Sequence, residues 1–191
     1  MDISELKAEL ERLHGASFGW ALSCCRRDHA QAEDVLQTVY LKILEGKARY
    51  RNEANFKTWL FAVIRKTALT EQRKSWLSAL KSIASSEPPT ERISFVAEPA
   101  AEFERSEVQK QFQRALELLP ARQREALHLV FYEDLSVREA ADVMGVSIGS
   151  ARQHYERGKK RLREFLARSL DRGEVDDEVS WKRKENPGVV S

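Results

Sequence analysis

Through the first eighty residues, apolar positions recur at the three- and four-residue spacing that lines one face of an α-helix. The stretch "MDISELKAELERLHGASFGWALSCC" carries Leu6, Leu10 and Leu13, then Phe18, Ala21 and Leu22. Ser4 with Lys7 is not a capping box, so the pattern leaves the start of this helix unmarked. In "DHAQAEDVLQTVYLKILEG" the residues Val35, Leu36, Val39, Tyr40, Ile43 and Leu44 make one wide apolar face. Asp28 is placed to cap that helix and Gly46 to stop it. A short polar connection, "KARYRNEAN", leads to "FKTWLFAVIRKTALTEQRKSWLSAL", a third helical pattern with Phe56, Trp59, Leu60, Val63 and Ile64 facing inward.

The pattern breaks at residues 85–104, "SSEPPTERISFVAEPAAEFE". Three of the five prolines lie here, and five acidic residues face a single Arg92, which predicts an extended linker. Its apolar residues, Ile93, Phe95 and Val96, hint at a docking segment. Helical periodicity resumes after it, with Ser106, Asp134 or Ser136, and Ser147 as helix starts and Pro120 between two helices. From 171 onward the chain is polar and reads as a frayed tail. The expected fold is therefore all-α: two small helical domains, 1–84 and 105–170, joined by the linker 85–104 and followed by the tail 171–191.

Bulk composition narrows this only a little. With 191 residues and 22.0 kDa the chain suits one medium domain or two small ones. A formal net charge of +2 gives no bulk argument for a nucleic-acid partner, so any such argument rests on where the charges sit. Cys24 and Cys25 are adjacent, a geometry that disfavours a disulfide between them. His14, Cys24, Cys25 and His29 match no zinc-ligand spacing, so neither a metal nor another cofactor is expected. No apolar run spans a membrane and no secretory leader opens the chain, so a reducing cytoplasm is the expected compartment.

The local charge is informative. "LSVREAADVMGVSIGSARQHYERGKKRL" has the grammar of a helix-turn-helix. The first helix runs from about Val137 to Met144, with Ala140 and Ala141 small enough for close helix approach. Gly145 takes the turn, Val146 plugs it into the core and Ser147 caps the second helix. On that second helix Ile148, Ala151, Tyr155 and Leu162 form the packing face. Ser150, Arg152, Gln153, Glu156, Arg157, Lys159, Lys160 and Arg163 point outward. Small residues at its start let the N-terminus enter a major groove, where Ser147, Ser150, Arg152 and Gln153 are candidates for base edges. Arg157, Lys159 and Lys160, further along, suit phosphates, although late cations also complement a helix dipole. A second basic surface lies between Lys42 and Lys74, with nine basic residues against three acidic. Such a surface suits a single strand.

Two motifs together carry a family resemblance. "AEDVLQTVYLKILEGKARYRNEANFKTWLFAVIRKTALTEQRK" resembles the core-binding and promoter-melting region of bacterial sigma factors, by Ala32, Glu33, Asp34 and Gln37, then Phe56, Trp59 and Leu60, then Arg65, Lys66, Arg73 and Lys74. "LPARQREALHLVFYEDLSVREAADVMGVSIGSARQHYERGKKRLREFL" resembles the family's C-terminal region. Their order, with only a linker between them, is similar to the extracytoplasmic-function (ECF) group of the sigma-70 family. The resemblance covers about residues 10–168. It implies that Asp34 and Gln37, three apart on one helix face, bind the clamp helices of the polymerase's largest subunit. It also implies that the loop from Gly46 to Asn55 captures a flipped base of a −10 element. There Asn52 and Asn55 are placed for a base edge, Tyr50 for stacking, and Arg49, Arg51 and Lys57 for the backbone, with Arg65 and Lys66 on the following basic helix.

This chain departs from the common pattern in places. "VIRKTAL" puts Lys66 where many relatives carry Asn, "TEQRK" replaces "DELRR", and the recognition helix begins "SIGSARQH", with Gln153 and His154 its own. Positive charge is kept; the finer base contacts differ.

The resemblance implies a promoter-specific initiation factor with no bond chemistry of its own. Its partners would be core RNA polymerase, promoter DNA and an anti-sigma factor, commonly tethered to the inner membrane. A stand-alone helix-turn-helix regulator is the alternative, but a sensor domain has no need of the basic segment from Lys42 to Lys74. An enzyme is disfavoured, since no glycine-rich phosphate loop, carboxylate cluster or Ser/His/Asp set stands in the sequence.

Overall fold

The computed structural model describes residues 2–84, 112 and 114–184, with side chains to 80 in the first stretch and to 168 in the last. Every regular element among them is helical. The first helix, α1 (Ile3–Arg12), starts at Asp2, whose side chain caps it while the Glu5 carboxylate accepts the Asp2 amide at 2.9 Å. This is a reciprocal capping box, set two residues before the Ser4–Lys7 pair that the sequence pattern weighs. Leu13 separates α1 from α2 (His14–Cys24) and is itself buried.

Helix α3 (His29–Leu44) is capped by Asp28, which accepts the Gln31 amide at 3.0 Å, and is stopped by Gly46 at φ +71°. Both ends fall where the sequence places them. Asn55 then caps α4 (Phe56–Ala84) by accepting the Lys57 amide at 3.0 Å. α2, α3 and α4 pack pairwise on one another. Leu60, Phe61 and Ile64 are sealed from solvent, each adding roughly 1.5–3 kcal/mol of burial. Trp20 is equally sealed, and its indole N–H donates to the Phe61 carbonyl at 3.0 Å, which satisfies the one polar atom of the ring.

Pro120 precedes α5 (Ala121–Leu127), which runs directly into a π-helical turn, His128–Tyr132. Ser136 opens α6 (Val137–Met144) with a second capping box, Ser136 with Glu139. Gly145 turns the chain at φ +63°, the left-handed conformation that a side chain disfavours. The last helix is α7 (Ile148–Lys184). α5 and α6 both pack against it, and α6 also packs against α4. Ala126, Leu129, Leu135, Ala140, Val143 and Met144 thereby join the same continuous core as the residues of α1 to α4.

Three expectations need amending. The polar stretch from 171 continues α7 to Lys184 instead of fraying; one interior glycine costs a helix only about 1 kcal/mol, and no proline intervenes before 187. Ile148, assigned to the packing face, is 40% exposed at the first position of α7. Leu44, at the last turn of α3, is likewise exposed. The linker 85–104 and the helix start at Ser106 lie outside the described residues.

Candidate nucleic-acid interface

The helix-turn-helix forms with the spacing its sequence dictates. Ser147 Oγ accepts the Ser150 amide at 3.1 Å and lies 2.9 Å from the Ser150 hydroxyl, so both serines are occupied in fixing the start of α7. Ala140, Ala141 and Ala151 are buried at the crossing of the two helices, and Val146 packs against the core. Deeper along α7, Gly158 is buried against α5. Arg122 ties α5 to the turn by donating to the Met144 carbonyl at 3.2 Å. The outward face carries Arg152, Gln153, Arg157 and Lys160, all exposed. Lys159 instead lies over the Tyr155 ring at 4.5 Å and pairs with Glu156 at 2.9 Å, so its ammonium is drawn back to its own helix.

The second site is the loop between α3 and α4. Tyr50 meets Phe56 edge-on, with ring centroids 5.1 Å apart, and both rings lie 5.3 Å from Trp59. The Tyr50 hydroxyl donates to the Ala54 carbonyl at 2.7 Å, and Arg49 donates from Nε to the Gly46 carbonyl at 3.1 Å. These bonds brace a loop in which Asn52 adopts a left-handed conformation at φ +60°. The result is a cleft of about 360 Å³ between Arg49, Arg51, Tyr50, Thr58 and Trp59, closed on one side by Asp142 of α6. Glu53 of the loop lines it as well, so two arginines stand against two acids; its size and aromatic faces suit a single nucleobase. Trp59, assigned to the core, is only half-buried and forms a wall of this cleft. The signal was the aromatic triplet at 50, 56 and 59, which wraps one helix start.

The remaining candidates divide. Arg51, Asn52 and Lys66 are exposed. The Asn55 carbonyl oxygen serves as the cap of α4. Arg65 is buried and Lys57 is partly so, and both are paired with carboxylates. Lys57 Nζ lies 2.9 Å from the Glu133 carboxylate and donates to the Glu133 carbonyl at 2.8 Å. Arg65 Nε lies 3.2 Å from Glu125 with only 9% of its side chain exposed. Asp34 and Gln37 stand exposed on α3, on the side away from its buried stripe of Ala32, Val35, Leu36 and Val39. Burial raises both thiols, Cys24 well above its usual range and Cys25 to about 11, which keeps them protonated and unreactive. No helix among the described residues is long and apolar enough to cross a membrane.

Comparison with known proteins agrees with this geometry in two separate places. The profile of Sigma-70 region 2 matches residues 10–78, which hold α3, the loop and most of α4. That of Sigma-70, region 4, matches residues 109–162, which hold the helix-turn-helix. The chain is 28% identical over 169 residues to the ECF RNA polymerase sigma factor SigX of Bacillus subtilis, covering 86% of this chain and 84% of the relative. It is 29% identical over 157 residues to the RNA polymerase sigma factor CarQ of Myxococcus xanthus, covering 81% and 82%. Among solved structures it is similar to the sigma factor RpoE of Bartonella quintana, crystallised with the anti-sigma factor NepR. The TM-score is 0.69 at 28% identity, over 86% of this chain and 98% of that one. Two family regions in the right order, carried on a helix-turn-helix and an aromatic cleft, place the chain in the sigma-70 family of RNA polymerase sigma factors, within its ECF group.

Proposed function

We propose that this chain docks on core RNA polymerase through the α3 face bearing Asp34 and Gln37. In that complex α7 reads a −35 element with Arg152 and Gln153, while Arg157 and Lys160 hold phosphates. The loop from Gly46 to Asn55 takes a flipped −10 base into the cleft of Tyr50 and Trp59, and Arg49, Arg51, Lys57, Arg65 and Lys66 follow the melted strand. The functional division falls at 1–84 and 105–170, with 85–104 as the strap between them. Such a factor positions DNA and performs no bond chemistry, so no catalytic residue is assigned. An antagonist of the anti-sigma kind keeps the chain from the polymerase until a signal arrives; that the Bartonella quintana neighbour was solved with an anti-sigma factor supports this part of the reading. We propose further that this antagonist is tethered at the inner membrane.

The observation that carries the proposal is the pairing, in one chain, of an exposed basic recognition helix with a separate aromatic cleft sized for one base. A stand-alone regulator uses the first and has no use for the second. The test is transcription in vitro with purified core polymerase on a promoter library. Defined start sites that require the chain support the proposal, and their absence refutes it. In a pull-down, Asp34→Arg should cut capture of core enzyme while helical content stays unchanged; undiminished capture removes α3 from that interface.

A further inference from the structure

A cavity of about 520 Å³ lies where the turn after α2 meets the segment that leads into α5. Its apolar wall is Leu22 on one side and Leu116 and Leu119 on the other, with the Tyr132 ring beside them. Its polar wall is cationic, built from Arg26 and Arg27 of the turn and Arg124 of α5. Glu117 supplies the one carboxylate among the lining residues. It holds Arg27 loosely, at 3.6 Å from Nε, with both side chains well exposed. Arg124 meets only the Glu117 main-chain carbonyl, at 3.5 Å. Arg26 has no hydrogen-bond or ion-pair partner among the described residues. Three guanidiniums therefore line an apolar hollow that holds a single carboxylate.

The backbone points to the same place. Arg26 and Arg27 both hold positive φ, +54° and +67°, a conformation that glycine takes without strain. Packing does not explain the choice of arginine, since both side chains are exposed. What the turn achieves is to set two adjacent guanidiniums on the wall of one cavity. Strain kept where packing does not require it is a mark of ligand sites.

We propose that this cavity is an effector site for a nucleoside monophosphate, whose phosphate is held by Arg26, Arg27 and Arg124 and whose ring lies against Tyr132 and the leucines. The volume falls in the range of small-ligand sites, roughly 300–1,000 Å³. A phosphate monoester brings close to two negative charges and three acceptor oxygens, which suits three guanidinium forks better than one carboxylate does. Inorganic phosphate would leave the apolar wall unused, and a neutral ring would leave the cations unmatched. The inference does not depend on the −35 and −10 assignments, because none of the residues given to DNA lines this cavity. Its walls come from both halves of the chain, so an occupant adds its own binding energy to the arrangement in which the halves pack together.

The experiment uses the full chain without polymerase. The 5′-monophosphates of adenosine, guanosine, cytidine and uridine are titrated by calorimetry, alongside the four nucleosides and inorganic phosphate. At least one nucleotide should bind one-to-one with a Kd below about 1 mM and raise the thermal midpoint. Its nucleoside and inorganic phosphate should each bind at least about tenfold more weakly. Arg26→Gln changes an exposed side chain outside the core and should weaken the nucleotide by about tenfold, the size of one lost charge-assisted contact. Glu117→Gln removes the carboxylate that competes for Arg27 and should tighten binding by roughly two- to fivefold, the scale of one exposed ion pair. Absence of binding by all four nucleotides overturns the proposal. Inorganic phosphate binding as tightly as the nucleotide also overturns it, because the apolar wall is then no part of the site. Loss of binding in Arg51→Gln but not in Arg26→Gln puts the nucleotide in the cleft of Tyr50 and Trp59 and overturns the assignment to this cavity.

Discussion

Gly158 on α7 and Leu127 at the end of α5 approach so closely that a methyl group at 158 would fit only if its neighbours gave way by a few tenths of an ångström. A Cβ at 158 would fall 3.1 Å from the Leu127 side chain and equally close to the Gln123 carbonyl oxygen. On an open helix surface glycine to alanine gains about 1 kcal/mol. Here Leu127 is buried and Gln123 is fixed in α5, so neither neighbour yields easily. Overpacking of this kind costs roughly 1–3 kcal/mol, which outweighs the helix gain. Gly158→Ala should therefore lower the thermal midpoint; a rise would show that α5 can move away from α7.

The Ser136–Glu139 capping box holds the first helix of the helix-turn-helix. Ser136 Oγ accepts the Glu139 amide at 3.2 Å, and Glu139 accepts the Ser136 amide at 2.9 Å. The Ser136 hydroxyl, which donates to the Glu139 carboxylate at 2.7 Å, and then the Ser136 amide pull the Glu139 carboxyl below its usual range, against an opposing effect of burial. Ser136→Ala should cost about 1 kcal/mol in a denaturant titration. Gly at 136 should cost only a few tenths. Equal losses for the two substitutions would mean that the cap is not what anchors α6.

Much of this fold was legible because local rules decide it. The caps Asp28, Ser136 and Ser147 and the glycines at 46 and 145 act within one turn of where they sit, and each lies where the sequence signal predicts. The Asp2–Glu5 cap has the same spacing as a capping box but starts two residues before Ser4, at the second residue of the chain. The long-range features could not be read in the same way. Nothing in the spacing around Lys57 or Arg65 announces Glu133 or Glu125, which lie 76 and 60 residues on. Gly158 sits among charged residues in "ERGKKR", and its packing role comes only from α5. Trp59 followed the helical period of the core, yet the loop that covers it leaves one face open to the cleft.

Arg26 and Arg27, between α2 and α3, both take positive φ, +54° and +67°. For residues with side chains this costs on the order of 1–2 kcal/mol each. The turn is held by the Arg27 amide donating to the Leu22 carbonyl at 2.8 Å and the Asp28 amide donating to Cys25 at 3.0 Å. Arg26 is exposed, so its side chain adds little to set against that strain. Arg26→Gly should stabilise the chain by roughly 0.5–1 kcal/mol after glycine's extra unfolded-state entropy is counted. A lower melting temperature would mean the Arg26 side chain contributes more than its exposure indicates.

The Glu133 carboxyl feels opposing effects: burial raises its pKa, while His128 and Lys57 lower it, and the net result lies below the usual carboxylate value. A carboxyl depressed in the folded chain stabilises it at pH values above its unfolded pKa of about 4.5. That contribution shrinks as pH falls below this value and is gone once pH has dropped past the folded pKa. Stability measured from about pH 6 down to pH 3 should therefore fall more steeply in wild type than in Glu133→Gln. Parallel curves would show that Glu133 is no better placed in the folded chain than in the unfolded one.

Arg152 and Lys160 stand on the same exposed face of α7, two helical turns apart, and should fail in different ways. Arg152 lies in the second turn, where a recognition helix meets base edges. Lys160 lies further along, where the helix rises out of the groove toward the phosphates. Arg152→Ala should cost roughly 1–3 kcal/mol at promoters that carry the preferred −35 base and little at promoters that lack it, so it relaxes specificity. Lys160→Ala should weaken all promoters alike and reduce the salt dependence of binding by about one counterion. Both can be read from holoenzyme binding to matched and mismatched promoters across a salt series. If Arg152→Ala weakens every sequence equally, the helix lies deeper or more obliquely than its capped N-terminus suggests, and base reading shifts to Gln153 and His154.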